Sequence, residues 1–265
     1  MEALGITNIQ IISFLLTFFR TGAILFTAPF FSSKNINTRV RILLSLTIAI
    51  VLTTSFTNLM TEGIGDVSRF MRYPALIMAI FREVALGIAI GFTAQLTFAG
   101  IQLAGQIVGH EMGFGLTRIL DPSMNTNVTI TAQYNVVLAT MIFLLIRGHH
   151  HILMGMARSF SEIPLGGWNP SASFTGHLND TFSGIFKTAF RLAIPVMAVL
   201  FLTKIGMAII ARTIPQMNVF IVGFPLQISI GLIAMALSLP FFVKTLNGLF
   251  ELMRNNIWLI ASGDI

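Results

Sequence analysis

Cysteine is missing altogether from the 265 residues, which excludes a disulfide framework and any thiolate metal site. Charge is scarce as well. Asp, Glu, Lys and Arg make up 10% of the chain, where a soluble domain carries about a quarter. So few charges cannot keep a globule solvated, and much of the surface must meet lipid or other protein. The net charge of +6 comes from basic residues that stand singly, and no Lys/Arg patch interleaved with aromatics points to nucleic acid. The opening residues lack the basic stretch and small-residue cleavage site of a secretory leader, so the first apolar run is expected to be retained structure. No separately soluble segment, fixed-period repeat or low-complexity tract is visible.

What is there is apolar. Hydrophobic residues make up 55% of the chain, with 24 Phe and 14 Met, side chains that fill irregular space without strong polar groups. Runs at 9–31, 42–59, 75–99, 128–146, 185–202 and 220–243 approach or exceed the roughly 20 residues needed to cross a bilayer. None alternates with period two, as a transmembrane barrel would. The expected class is an all-α membrane protein. Pro29, Pro195, Pro215, Pro225 and Pro240 lie in or beside these runs; each removes a backbone hydrogen bond, which favours kinked helical hairpins. Segments 61–73, 100–127 and 162–183 read as linkers. The last, with Gly166-Gly167-Trp168-Asn169-Pro170, is expected to be an aqueous loop.

The charges between the runs do not settle an orientation. Six crossings would leave six Lys/Arg on one side and eight on the other, no decisive cytoplasmic excess. Arg20 falls inside the first run and Arg82-Glu83 inside the third. Charges at that depth cost several kcal/mol unless paired or facing a polar cavity.

Candidate chemistry is thin. His149-His150-His151 would fan out about 100° apart on a helix and cannot converge on one ion. His110-Glu111 begins like a zincin helix, but Phe114 stands where the second histidine is required. Neither a G-x-S-x-G elbow nor a Gly-rich phosphate loop ending in Lys-Ser/Thr is present. The expectation is no enzyme, no cofactor and no metal.

The glycines carry more. Gly87 and Gly91, then Gly105, Gly109 and Gly113, recur every fourth residue, a spacing that lets a neighbouring backbone approach one helix face. Around the second set stand Gln102, Gln106, His110, Glu111, Gly115, Arg118, Asp121 and Pro122, too polar for lipid and too apolar for a free loop. A weakly helical segment of this kind at membrane depth must be buried in protein or line a cavity. It reads either as a flexible constriction or as a subunit-packing segment.

Several stretches resemble the FliR/SctT family of type III secretion export-gate proteins. They are Phe26-Thr27-Ala28-Pro29-Phe30-Phe31-Ser32 with Arg39-Val40-Arg41; Gln102-Leu103-Ala104-Gly105-Gln106 with Gly113 and Asp121-Pro122; Gly148-His149-His150; Pro215-Gln216-Met217-Asn218-Val219-Phe220; and Gly223-Phe224-Pro225-Leu226. The resemblance implies a single export-gate domain over 1–265, built like a FliP-like part fused to a FliQ-like part within a helical assembly. Its partners would be several copies each of FliP and FliQ, with FlhB, other basal-body components and unfolded export substrates. The place would be the bacterial inner membrane in the flagellar basal body, extending toward the periplasm. It also implies a pore plug at Gln106, Gly109, His110, Glu111, Met112, Gly113, Phe114, Gly115, Leu116, Arg118 and Asp121. Subunit packing is expected at Arg20, Glu83, Gly87, Gly91, Pro215, Gln216, Asn218, Phe220, Gly223 and Pro225. His110 departs from the more neutral polar residue that the family pattern leads one to expect. The rival readings are the equivalent injectisome subunit, a secondary transporter, and a scaffold that lines no pore.

Overall fold

A long apolar segment withdrawn from water must pair its backbone N–H and C=O groups internally, and a helix does so within one segment. The computed structural model describes residues 8–33, 36–55, 73–116, 129–170, 172–214, 216 and 219–263. Among these the regular elements are helices: α1 (Asn8–Thr27), α2 (Thr38–Ser55), α3 (Tyr73–Glu111), α4 (Ile130–Leu145), α5 (Gly148–Glu162), α6 (Ala172–Thr213) and α7 (Val219–Ser262). A short 3-10 turn, Phe114–Leu116, follows α3. By length and apolar content α1, α2, α3, α6 and α7 can each cross a membrane, and α4 with α5 can make a sixth crossing. The protein is an all-α membrane protein.

Three helices outrun the apolar runs that foretold them. The run 75–99 becomes Tyr73–Glu111, 185–202 becomes Ala172–Thr213, and 220–243 becomes Val219–Ser262. Hydropathy marks where a helix is apolar all round; the backbone goes on pairing where one face turns polar. Two expectations are corrected for that reason. Residues 100–111, expected as the start of a linker and from 105 as weakly helical, continue α3, and 172–183 belong to α6, not to a loop. The helices also run through Pro195, Pro225 and Pro240.

Local signals fix several ends. Thr129 caps α4, its Oγ1 accepting the Ala132 N–H at 3.3 Å, as N-cap threonines do. Arg147, at φ 57°, breaks the chain between α4 and α5. α5 is amphipathic: Gly148, Ile152, Gly155, Met156, Ser159 and Phe160 form its buried stripe, at the three- and four-residue spacing of a helix face.

The chain folds as two compact units. Unit 1 draws on Met1–Leu96, Arg147–Thr181 and Glu251–Ile265; unit 2 on Thr97–Ile146 and Phe182–Phe250. In unit 1, α2 packs on α1, and the core holds Leu16, Ile24, Leu86, Ile90, Ile152 and Ile257. In unit 2, Phe98, Phe143 and Phe250 form a triangle with ring centres 5.5–5.7 Å apart, a separation at which aromatic pairs attract beyond their buried area. Outside these cores Leu145 and Leu237 are 84% and 78% exposed, in company with Phe81, Phe201 and Ile221. An apolar surface on this scale belongs against lipid or protein.

Candidate functional site

The end of α3 in unit 2 is pinned from three sides. Gly105 and Gly109 lie against the start of α4, where a methyl group added at Gly105 would stand 2.8 Å from the Ala132 nitrogen, and one at Gly109 2.5 Å from Thr131 Oγ1. The Gly105 carbonyl accepts from Thr131 Oγ1 at 2.7 Å, a bond made possible by that close approach. Met112 is fully buried, its side chain filling the place where Gly231 of α7 has none. Burial of a side chain this size contributes about 2 kcal/mol.

α3 stops at Gly113. The residue takes φ +92°, a left-handed conformation that suits glycine after a helix, and its N–H donates to the His110 carbonyl at 3.0 Å. A Cβ there would lie 2.6 Å from Phe224 Cε1, so conformation and space both select glycine. Beyond it Phe114, Gly115 and Leu116 are half-buried, with the His110 ring beside Gly115. Lys204 Nζ of α6 donates to Glu111 Oε2 at 2.6 Å, with both side chains about one-third exposed. The arrangement is a helix end held by a buried apolar knob, a glycine turn and one half-exposed polar tie. Gln106 is half-buried and His110 exposed. Arg118 and Asp121 lie outside the described residues.

The second cluster is in unit 1 and is electrostatic. Arg20 is wholly buried and forks onto the carboxylate of Glu83, itself wholly buried. Its Nε donates to Glu83 Oε2 and its Nη2 to Oε1 at 3.0 Å; Nη1 donates to the Ser159 carbonyl at 2.6 Å and to the Ile163 carbonyl at 3.3 Å. The Phe160 ring lies under the guanidinium at 4.4 Å. Glu83 Oε1 also accepts the Gly166 N–H at 2.6 Å, and Arg82 Nη1 donates to the Gly166 carbonyl at 3.2 Å. Charges inside apolar helices persist when paired and hydrogen-bonded in this way. The expected aqueous loop is thereby corrected: Ile163, Leu165, Gly166 and Trp168 are buried, and the Ile163 carbonyl and Gly166 N–H serve the Arg20–Glu83 pair.

Of the residues expected at subunit contacts, Arg20, Glu83, Gly87 and Gly91 pack within the chain. Gly87 and Gly91 of α3 meet α1, where added methyls would stand 2.6 Å from Ala23 Cβ and 2.9 Å from the Ile24 carbonyl. Gly223 is buried and Pro225 exposed in α7, and Gln216 is exposed. Pro215, Asn218 and the side chain of Phe220 lie outside the described residues. The His149 and His150 rings stand 6.0 Å apart at 86°, and among the described residues no group of three His, Asp or Glu is placed to hold a metal ion.

Sequence reasoning missed the partners. Lys204, Phe224, Gly231 and Thr131 were not singled out for the α3 end, although Lys204 is a lone charge among apolar neighbours. Gly166 reads in the sequence as a turn residue only, since nothing local shows that its amide reaches a carboxylate 83 residues earlier.

The sequence pattern of the family described as "Bacterial export proteins, family 1" matches residues 11–253. The chain is 32% identical over 246 residues to the flagellar biosynthetic protein FliR of Aquifex aeolicus, covering 91% of this chain and 90% of that one. Proteins of the same name are similar in Bacillus subtilis, 28% identical with 94% and 96% covered, and in Escherichia coli, 29% identical with 95% of each covered.

Proposed function

This chain belongs to family 1 of the bacterial export proteins, and on that premise we propose that it is a subunit of the flagellar type III protein-export gate. With several copies each of FliP and FliQ it forms the gated channel that conducts unfolded flagellar proteins, and FlhB is its neighbour on the cytoplasmic side. Its two compact units work as one export-gate domain over residues 1–265, a FliP-like part fused to a FliQ-like part. It sits in the inner membrane at the basal body and extends toward the periplasm. Its work is conduction, without a catalytic step or bound cofactor.

The observation that carries this reading is the construction of the α3 end. Met112 seated on Gly231, Gly113 turned beneath Phe224, and Glu111 tied to Lys204 hold the α3 end in place, which supports reading it as the plug. A passing polypeptide displaces such a plug by drawing Met112 from its seat and breaking the Glu111–Lys204 tie. The flagellar assignment over the injectisome rests on relatives named for flagellar biosynthesis along nine-tenths of their length.

The test is purification of the tagged chain after co-expression with its genomic neighbours, followed by native mass spectrometry. FliP- and FliQ-type subunits in excess over this chain are the expected result. A lone monomer or homodimer that survives gentle detergent overturns the reading.

A further inference from the structure

In unit 1, α5 lies so close to the last turns of α7 that a methyl group at Gly155 would strike Ile257 Cγ2. Beside that seam opens a cavity of about 550 Å³, whose wall carries His151, Arg158, Arg254, Asn255 and Trp258. The volume is that of a small-molecule site.

The charge on this wall is not balanced. The Arg158 guanidinium lies over the Trp258 ring at 4.7 Å, and its Nε is 3.6 Å from Glu162 Oε1, too long for a hydrogen bond. That nitrogen is buried and has no hydrogen-bond partner among the described residues. Arg254 has neither hydrogen bond nor ion pair among the described residues, and His151 lines the same cavity. Glu162 therefore offsets only part of the positive field. A guanidinium fork matches the oxygens of a phosphate group, and two forks facing one space prefer an anion there.

The rim has the opposite character. Met154 and Leu259 also line the cavity and are 50% and 41% exposed, and Leu252 on the same helix is 58% exposed. An indole beside basic residues, backed by exposed apolar side chains, is the composition found at the level of lipid headgroups. Basic pockets between membrane helices take anionic headgroups for the same reason.

We propose that this cavity is a binding site for a phosphate group supplied by an anionic phospholipid. Arg158 and Arg254 hold the phosphate, and the acyl chains lie along Met154 and Leu259. The site is separate from the α3 plug and does not depend on the export reading; it requires only that the chain lie in a membrane.

The test uses the full chain purified in detergent and stripped of lipid, with whatever subunits it retains. Binding of dihexanoyl phosphatidylglycerol, dihexanoyl phosphatidylcholine and inorganic phosphate is followed by native mass spectrometry. Phosphatidylglycerol is expected to bind at least about tenfold more tightly than phosphatidylcholine, and Arg254→Gln to remove about tenfold of that affinity. Arg254→Gln leaves no partner stranded; the lipid competition on the unaltered chain needs no variant at all. Equal affinity for the two lipids, or an unchanged Arg254→Gln variant, overturns the proposal. Inorganic phosphate binding as tightly as phosphatidylglycerol retains the phosphate site and overturns the lipid as its source. A photo-crosslinker at Asn255 that captures a protein segment and no lipid in native membranes overturns it as well.

Discussion

Arg20 and Glu83 are 63 residues apart in sequence and bind each other through two N–H groups, with no solvent exposure at either side chain. Removing one partner strands the other charge away from water, a loss of about 3–5 kcal/mol. Glu83→Ala also orphans the Gly166 N–H. The expected outcome is a sharp fall in the amount of chain in the membrane fraction and in its melting temperature in detergent. A double change to Arg20→Met with Glu83→Leu leaves no charge stranded and recovers the part of the loss due to charge, while the Gly166 N–H and the Ser159 and Ile163 carbonyls stay without these partners; a double variant as unstable as Glu83→Ala contradicts this account.

The Lys204–Glu111 pair belongs to another class, since both side chains remain about one-third exposed. Solvent screens such pairs, and Lys204→Met should change stability by only about 0–1 kcal/mol. Its effect is expected on leakage: ion conductance of the assembled gate in a planar bilayer should rise while protein levels hold. Exchanging the charges, Lys204→Glu with Glu111→Lys, should restore closure. No change in conductance for Lys204→Met removes the tie from the gating account.

Glycines on packed and open faces should respond oppositely to alanine. Gly105→Ala drives a methyl group into the Ala132 backbone and should cost about 1–3 kcal/mol by overpacking. Gly248 is exposed and has nothing within 4 Å of an added methyl group, so Gly248→Ala should stabilise α7 by up to about 1 kcal/mol. Melting temperatures in detergent compare the two directly.

Gly113 combines conformation with space, and a double-mutant cycle separates them. Gly113→Ala meets Phe224 and also the left-handed penalty of roughly 1–2 kcal/mol. Adding Phe224→Ala removes the steric part and leaves the conformational part. If the double variant regains the stability of Phe224→Ala alone, the positive φ carries no weight there.

The helices were legible because long apolar runs leave the backbone few alternatives, and most of the described residues of each run from 9–31 to 220–243 lie on a helix. Their ends were not, where the helix persists on one buried face: Gln102 and Gln106 continue α3 although hydropathy has faded. Gly105 and Gly109 announced a close approach by their spacing; that the approaching backbone is Thr131–Ala132 was invisible, since helix pairing is decided by the facing surface. The charges at Arg20 and Glu83 were legible as needing partners. The third participant, Gly166, was hidden because a backbone N–H leaves no mark in the sequence.

One consequence concerns the order of synthesis. Unit 1 needs its first stretch to Leu96, its middle stretch from Arg147 and its last from Glu251, with Met253, Ile257 and Ile260 in its core. At about 5–20 residues per second, a ribosome takes on the order of ten seconds to travel from the first stretch to the last. During that interval Arg20 and Glu83 have each other before Ser159, Ile163 and Gly166 arrive to complete their shell. The unit begun first is thus the last to close, and a nascent chain released after Phe250 carries every residue of unit 2 on an unfinished unit 1.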